Sequence, residues 1–378
     1  MSGVDRLNVP EFERPIVELE MRIEGRRMDL ANADKEEDRK FIQSEIDELE
    51  KDLKKLTDSV FGNLDPWDRV QLSRHPNRPL TSDYIGALFD DFQELQGDRS
   101  YMDDPAIVTG FATFEGTKCM VMGHRKGKTL QERLRCNFGC AHPEGYRKAL
   151  RKMKMAEKFK LPIISFINTP GAYPGIQAEE RGQSQAIAEA IREMSGLRVP
   201  IITLTIGEGG SGGALGIGVG DRYLIMENAY YSVISPEGCA AILWHDAKKA
   251  SDAARVLRLT PNDLLELGIM DEVVPEPYGG AHRDPRRTFD NVRSYLLKHL
   301  NELMALDIED LMEKALPEAA RHGQVHRSCG VGSGSFSARS AENVPDPFDT
   351  RRASAAPTRP PALRGRGSTA RRRPAPAA

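Results

Sequence analysis

The chain has few cysteines and lacks a long apolar run. Its five cysteines form no C-x-x-C pair, so their spacing predicts neither a disulfide framework nor a four-cysteine zinc site. Reduced thiols in the cytoplasm are the simpler interpretation. No window offers about 20 continuous apolar residues, and residues 1–20 lack the apolar segment of a signal peptide. We therefore expect a cytoplasmic protein without a membrane span.

Lysine is absent from the end of the chain. After Lys314 the composition shifts to Arg, Pro, Ser and Ala, and residues 324–378 hold ten arginines against three acidic residues. That segment has a net charge of +7, which leaves −10 for residues 1–323. We predict a disordered tail over residues 307–378. Its basic charge can indicate nucleic-acid binding, but it lacks interleaved aromatic residues and the body is acidic, so nucleic acid is not an expected partner.

Residues 11–75 are predicted to be helical. Apolar residues recur there at steps of four and three, which is typical of a helix that packs along one face. Two interpretations are open: the helix packs on its own body, or it forms an arm that contacts a partner. The seam consists of Ile42, Ile46, Leu49, Leu53, Leu56 and Val60.

The remainder of the body alternates strands and helices. A hairpin is predicted over residues 106–123, with its turn at Glu115-Gly116. Alternating strands and helices indicate an α/β core with crossover connections. The predicted strands are 162–167, 200–206, 222–226 and 231–234, and the predicted helices are 178–194, 236–244 and 285–306.

Three familiar glycine motifs nearly fit this chain. Residues 123–129 resemble a phosphate-binding P-loop, but have three residues between the glycines where four are required, so ATP binding by this motif is rejected. Residues 207–212 match G-x-G-x-x-G, with Glu227 at the expected spacing, but the following segment is too glycine-rich for a crossover helix. Residues 209–213 match G-x-S-x-G, which makes Ser211 the candidate nucleophile of a serine hydrolase, with His245 or His282 as its base.

The overlapping patterns share backbone chemistry. A strand that ends in consecutive glycines and opens a helix leaves N–H groups without acceptors, and no Cβ blocks a substrate oxygen from approaching them. Such a turn can act as an oxyanion hole. The simpler alternative is that the glycines allow a helix to pack closely on a strand.

Seven motifs occur in one order, and together they resemble the α subunits of bacterial acetyl-CoA carboxylase carboxyltransferases. The resemblance runs from about Phe12 to about Glu309. Its motifs are F-G (138–139), P-E-G-Y-R-K-A (143–149), N-T-P-G-A-Y-P-G (168–175), A-E-E-R-G-Q-S (178–184), G-E-G-G-S-G-G-A (207–214), V-I-S-P-E-G-C (233–239) and P-E-P-Y-G-G-A-H (275–282).

The resemblance implies an α/β fold of the crotonase-like (ClpP/crotonase) class, a superhelix of ββα units. Residues 1–40 would be an N-terminal helical segment and residues 41–306 the carboxyltransferase domain. The implied reaction moves a carboxyl group from carboxybiotin, presented by the biotin carboxyl carrier protein, to acetyl-CoA, and gives malonyl-CoA for fatty acid synthesis. The implied partners are a β subunit in an α2β2 tetramer and a biotin carboxylase that consumes ATP.

The resemblance also implies roles for individual residues. The N–H groups of Gly212 and Gly213 would stabilise the ureido oxyanion of biotin, while the β subunit would supply the enolate site and hold the only zinc. The enzyme is then expected to be active only with β. Arg125, Lys126 and Lys128 belong to a short basic segment, for which the charge alone favours a solvated face, with contacts to coenzyme A phosphates or the partner as the alternative. The expected cleft wall is Thr169, Pro170, Gly171, Ala172, Tyr173, Gly209, Gly210 and Ser211. For the loop of residues 169–175, a rigid Pro/Gly turn without a role in binding is the alternative.

Three features depart from the family pattern. Asn168 stands where the family usually has Asp, and Cys136 and Cys140 stand where Arg and an apolar residue are expected. Four residues apart, the two cysteines are predicted to share a helix face, but two ligands do not make a zinc site. The chain also continues past the end of the resemblance into its Arg/Pro-rich tail, which indicates a shifted reading frame, a fused extension or a genuine disordered tail.

Overall fold

The structure is a computed structural model, and it describes residues 9–312. One mixed sheet of eight strands organises this part of the chain. The strands are β1 (Asp90–Glu94), β2 (Ile107–Phe114), β3 (Thr117–His124), β4 (Ile163–Thr169), β5 (Ile201–Gly210), β6 (Arg222–Met226), β7 (Tyr230–Ser232) and β8 (Glu272–Val274). Their order across the sheet is β1-β2-β3-β4-β5-β6-β8, and β7 pairs with the end of β5.

The predicted hairpin is confirmed as β2 and β3. Glu115 and Gly116 join the two strands with φ angles of +46° and +81°, as expected for a two-residue turn that matches strand twist. From β3 onward the neighbouring strands of the sheet run parallel. Every residue of β4 and β5 is buried, because helices cover both faces of the sheet at its centre. The predicted α/β fold of strand–strand–helix units is thereby confirmed.

Helices form a layer on each face of the sheet. Helices α4 and α13 pack against one face, and α6 and α8 against the other. The helices are α1 (Arg14–Asn32), α2 (Glu36–Phe61), α3 (Pro66–Ser73), α4 (Thr81–Leu88), α5 (Leu130–Arg135), α6 (Pro143–Lys158), α7 (Ile176–Glu180), α8 (Gln183–Met194), α9 (Ser211–Leu215), α10 (Pro236–Trp244), α11 (Ala250–Val256), α12 (Pro261–Glu266) and α13 (Pro285–Met304).

Helices α1 and α2 form a hairpin that packs on itself. Ile46 of the predicted seam is buried together with Ile16 and Ile23 of α1, and the other seam residues are half-buried. The structure shows that α2 packs on α1, whereas packing of the seam on the sheet and its role as an arm for a partner both stay predictions. The predicted domain boundary at residues 40/41 falls inside α2, and the hairpin and the sheet belong to one compact unit.

A buried polar cluster joins the hairpin to the body. Glu13 accepts hydrogen bonds from His282 Nε2 at 2.9 Å and from Arg283 Nη2 at 2.6 Å. Burial alone would raise the pKa of Glu13, but the His282 hydrogen bond and the nearby cationic side chains lower it to about 2. The carboxylate is therefore ionised, and it ties the start of α1 to the loop before α13.

The same cluster has the composition of a metal site. Glu13, His75 and His282 each bring one ligand atom to within 4.8 Å of the others. However, His75 Nδ1 accepts the N–H of Asn77 at 3.2 Å, so the proton of this imidazole is on Nε2, the atom that faces Glu13. A protonated nitrogen has no lone pair for a metal. We interpret the cluster as a structural contact, and the absence of a metal from this chain stays a prediction.

Two further predictions concern helices and the tail. The predicted helix 178–194 is divided into α7 and α8, because Gly182 adopts a left-handed conformation with φ of +80°. None of the helices in residues 9–312 has the length and apolar character needed to span a membrane. The predicted tail lies, apart from its first six residues, outside the described part of the chain.

Candidate active site at the glycine turn

The site is built where β5 runs directly into α9. A Cβ added to Gly213 would overlap the backbone of Ala172 and lie 2.9 Å from the Cα of Gly171, and one added to Gly210 would overlap the carbonyl group of Pro170. Carbon atoms in contact are normally separated by about 3.5 Å or more, so only glycine allows this approach. The glycines thus permit close packing, and what they pack on is the loop that follows β4.

That loop is the predicted cleft wall. Thr169 at the end of β4 is paired with Gly209 of β5, which places the start of the loop beside the turn. The Thr169 hydroxyl donates to the Gly171 carbonyl at 2.8 Å and accepts from the Gly171 N–H at 3.1 Å. Tyr173 is fixed through its N–H, which donates to the carbonyl of Ala141 at 3.0 Å. The structure therefore brings the predicted residues 169–173 and 209–213 together, while their roles stay predictions.

The N–H groups of Gly212 and Gly213 belong to the first turn of α9. Amides at that position have no acceptor within an α-helix, and no loop backbone or side chain within residues 9–312 accepts from these two. The carbonyl of Gly212 accepts from the N–H of Gly216 at 3.0 Å, which fixes the peptide plane between the two glycines. The nearest atom to a Cβ on Gly212 would be Ile187 Cγ2 at 3.7 Å, so the turn is open on this side.

Ser211 has the exposure of a nucleophile but lacks a base. Its φ of +52° and its exposed position are those of a strand-to-helix elbow. His245, however, ends α10 on the surface, and His282 is bonded to Glu13. No histidine or carboxylate in residues 9–312 forms a hydrogen bond with the Ser211 hydroxyl. The serine-hydrolase alternative therefore has no support.

A buried carboxylate, Glu208, lies two residues before the turn. Its Oε1 accepts from Arg74 Nε at 2.6 Å and from the Tyr230 hydroxyl at 2.9 Å, and its Oε2 pairs with the Lys126 ammonium. Burial alone would raise its pKa, but Lys126 and Arg74 outweigh burial and lower the pKa to about 2. The Glu208 carboxylate is therefore ionised, and Arg74 and Lys126 compensate its charge. Arg74 also donates a hydrogen bond to Glu237 Oε1 at 2.5 Å.

A cavity of about 380 Å³ lies beside this cluster, within the size range of small-molecule sites. Its lining is rich in basic side chains and shares Pro170 with the cleft wall. A larger cavity, of about 740 Å³, lies between the helical hairpin and the body, and the only predicted site residue among those that line it is His282, the candidate base of the unsupported hydrolase. We associate the chemistry with the smaller cavity, because that one adjoins the glycine turn. Its lining includes Arg74, Arg78, Lys126, Arg133, Phe138, Asn168 and Glu208.

Comparison with known proteins identifies the family of this chain. The family described as acetyl co-enzyme A carboxylase carboxyltransferase-like matches residues 9–322. The chain belongs to this family. It is 52% identical over 314 residues to the acetyl-coenzyme A carboxylase carboxyl transferase subunit alpha of Thioalkalivibrio sulfidiphilus, covering 83% of this chain and 97% of that one. It is 53% identical over 302 residues to the same subunit of Methylococcus capsulatus, covering 80% of this chain and 92% of that one.

Similarity to solved structures is more distant. Transcarboxylase 12S, in a structure with methylmalonyl-coenzyme A and methylmalonic acid bound, aligns with a TM-score of 0.49 and 19% identity. The alignment covers 60% of this chain and 42% of that chain. The resemblance drawn from the sequence motifs is confirmed by the family match, which begins and ends within about a dozen residues of the limits that the motifs gave.

The basic residues considered as coenzyme A contacts are already paired within this member of the acetyl-CoA carboxylase carboxyltransferase family. Arg125 Nη2 lies 3.0 Å from Glu94 Oε2, Lys128 pairs with Asp83, and Lys126 with Glu208. The solvated-face interpretation is wrong for Lys126, whose side chain is only 16% exposed. A contact of Arg125 or Lys128 with coenzyme A or a partner subunit stays a prediction.

Asn168, the first departure from the family pattern, is part of the backbone framework. Its Oδ1 accepts from the N–H of Glu208 at 3.2 Å, and its own N–H donates to His124 Nδ1 at 3.4 Å. A neutral amide fits this role because it places no second negative charge beside Glu208. The structure thus gives Asn168 a function in holding β4 to β5 that needs no charge.

The cysteine departures require a correction. Cys136 ends α5, and the two residues after it, Asn137 and Phe138, have φ angles of +47° and +55°, so the helix does not continue to Cys140. The prediction that the two cysteines share a helix face is therefore wrong. Burial raises the pKa of both thiols, which keeps them protonated and unreactive.

Sequence reasoning missed several residues around the turn. Glu208 and Tyr146 stood within recognised motifs, and His124 stood within the rejected P-loop pattern, but none was singled out. A glutamate inside an apolar strand needs a cationic partner, and that requirement was the available signal for Glu208. Its partner Arg74 is 134 residues away in sequence, so no local pattern connects the two.

Proposed function

We propose that this chain is the α subunit of a biotin-dependent carboxyltransferase that moves a carboxyl group from carboxybiotin to acetyl-CoA, giving malonyl-CoA. One observation supports the site assignment most strongly. Two backbone N–H groups, those of Gly212 and Gly213, have no acceptor within the described chain and lie beside the loop of residues 169–173. Family membership supports the reaction class.

The chemistry requires stabilisation of negative charge. Departure of the carboxyl group leaves charge on the ureido oxygen of biotin, and removal of a methyl proton leaves charge on the acetyl oxygen. Each well-placed donor to such a charge lowers the activation free energy by about 3 kcal/mol. In this proposal the N–H groups of Gly212 and Gly213 donate to the ureido oxygen, and the acetyl oxygen is bound by the β subunit.

The side chains near the turn are arranged to hold charge and not to transfer protons. Glu208 is ionised, but its two oxygens are occupied by Arg74, Tyr230 and Lys126. His124 is fully buried, and burial lowers its pKa to about 3, so it is neutral. The proposal therefore assigns the abstraction of the methyl proton to the ureido nitrogen of the substrate and not to a residue of this chain.

The partners proposed are a zinc-ribbon β subunit, the biotin carboxyl carrier protein and a biotin carboxylase. Exposed apolar side chains near the site support a protein partner: Ile242 and Leu243 at the end of α10 are 66% and 56% exposed. The same helix supplies Glu237, which bonds Arg74 of the charged cluster. An apolar surface so close to a polar site is typical of a protein–protein contact.

The test is to co-express the chain with a zinc-ribbon β subunit and to assay malonyl-CoA decarboxylation with biocytin as the biotin analogue. The purified complex is expected to form acetyl-CoA, and the α chain alone is expected to be inactive because one oxyanion hole cannot serve two anions. Robust activity of α alone, or an inactive but correctly assembled complex, would contradict the proposal.

A further inference from the structure

The carbonyl group of Gly213 has unusual partners. In a continuing α-helix it would accept from the N–H of Ile217, but that N–H donates to Ala214 at 3.3 Å. Two side chains replace it: the Tyr146 hydroxyl lies 3.2 Å from the Gly213 oxygen, and His124 Nε2 lies 3.2 Å from the same atom. Helix α9 therefore ends at Leu215, after about one turn, and side chains bind the carbonyl of Gly213, the residue whose N–H faces the substrate in the proposed function.

The hydrogen bonds of His124 decide its tautomer. Nδ1 accepts from the N–H of Asn168 at 3.4 Å, so this nitrogen is unprotonated, and Nε2 must hold the proton that it donates to Gly213. The backbone of His124 is fixed as well, because its carbonyl accepts from the Thr81 hydroxyl at 2.5 Å. Through this one residue β3, β4 and α4 are connected to the glycine turn.

Tyr146 reaches the same carbonyl from helix α6. Its side chain is fully buried, and burial raises the pKa of its hydroxyl, so the donor stays protonated. A Cβ on Gly216 would lie 2.5 Å from Tyr146 Cε1, which shows that the ring is packed against the backbone of the turn. The hydroxyl thus has little freedom to move away from Gly213.

We propose that Tyr146 and His124 are positioning residues that orient the Gly213 N–H toward the reacting oxygen. Glycine has the widest choice of backbone angles, so a glycine used as a donor needs external restraint on both sides of its Cα. Gly216 restrains the peptide before Gly213, and Tyr146 and His124 restrain the peptide after it. This inference rests on the proposed function, since it assumes that the Gly213 N–H binds the oxyanion.

The test is the Tyr146→Phe variant of the α chain, assembled with the β subunit and assayed with malonyl-CoA and biocytin. Loss of the hydroxyl leaves the ring in place, so assembly and the KM for malonyl-CoA should be unchanged while kcat falls about tenfold. Tyr84→Phe is the matched control, because Tyr84 is equally buried but its hydroxyl has no hydrogen-bond partner among residues 9–312. This control should keep wild-type kcat.

His124 provides a second pair of variants. His124→Gln retains an N–H donor and should keep more of the wild-type kcat than His124→Leu, which has none. Wild-type kcat in Tyr146→Phe, or equal losses in Tyr146→Phe and Tyr84→Phe, would overturn the inference. If these results occur while Gly213→Ala still lowers kcat, the oxyanion hole stands and only the positioning role fails. If Gly213→Ala also leaves kcat unchanged, the proposed function of the turn fails.

Discussion

Replacing Gly213 by alanine should disturb the glycine turn, because the added methyl group has no room there. The added Cβ would overlap the backbone of Ala172 and lie 2.9 Å from the Cα of Gly171. These are backbone atoms, so no flexible side chain can move aside. To restore a normal contact of about 3.5 Å, the turn and the loop must separate by roughly 1 Å at the closest atoms.

The expected loss in rate follows from that displacement. An oxyanion donor works within about 2.7–3.1 Å of the charged oxygen, and a misplacement of 1 Å costs about a hundredfold. We therefore expect kcat of the assembled Gly213→Ala complex to fall about a hundredfold, or about 3 kcal/mol of transition-state stabilisation. The overpacking should also lower the free energy of unfolding by about 1–3 kcal/mol.

The assay is malonyl-CoA decarboxylation by the co-purified α and β chains, with size-exclusion chromatography to show that the variant assembles. Gly86→Ala in α4 is the control, because a Cβ there meets no atom of the described part of the chain within 4 Å. The control should retain wild-type kcat and stability. Wild-type turnover in an assembled Gly213→Ala complex would refute the assignment of this N–H to catalysis.

Three further predictions follow from other contacts. Because the pKa of Glu208 is lowered from 4.5 to about 2, its stabilising contribution, about 3 kcal/mol, is complete above pH 4.5 and is lost as the pH falls toward 2. Urea unfolding should show a smaller loss of stability between pH 4.5 and 2 in Glu208→Gln than in the wild type, because the contribution of Glu13, whose pKa is also lowered to about 2, remains in the variant. Replacing Leu49 and Leu53 together by aspartate should destabilise the helical hairpin or prevent assembly. Thermal unfolding followed by circular dichroism checks this, with Lys51→Asp as the exposed control, and a fully stable double variant would contradict the packing of the seam. Ser211→Ala should leave carboxyl transfer largely intact, and an abolished rate would revive a nucleophilic role.

Local patterns predicted the elements around the site because each has a local cause. The Glu115-Gly116 turn specified the β2–β3 hairpin through residues that tolerate positive φ, and the strand–glycine pattern located the junction of β5 and α9. The structure places residues 169–173 beside residues 209–213, because the ends of the neighbouring parallel strands β4 and β5 meet at one edge of the sheet. That these residues line a substrate cleft was implied by the family resemblance and stays a prediction.

The polar network could not be predicted from local patterns. Arg74 and Glu208 are 134 residues apart, and His124 meets Gly213 across 89 residues, so only the folded sheet brings them together. The error on Cys136 and Cys140 has a different cause. A four-residue spacing suggested one helix face, but Asn137 adopts positive φ and ends the helix between them. Nothing in the spacing reports that backbone angle.

The most direct test of the central claim replaces the Gly213 amide by an ester, using glycolic acid at position 213 in a cell-free translation of the α chain. This exchange removes the N–H donor and adds no atom that can clash. With the β subunit present, the account predicts a fall in kcat of about a hundredfold or more, with unchanged assembly and unchanged KM for malonyl-CoA. A kcat equal to that of the wild type would contradict the claim that this backbone N–H stabilises the reaction's oxyanion.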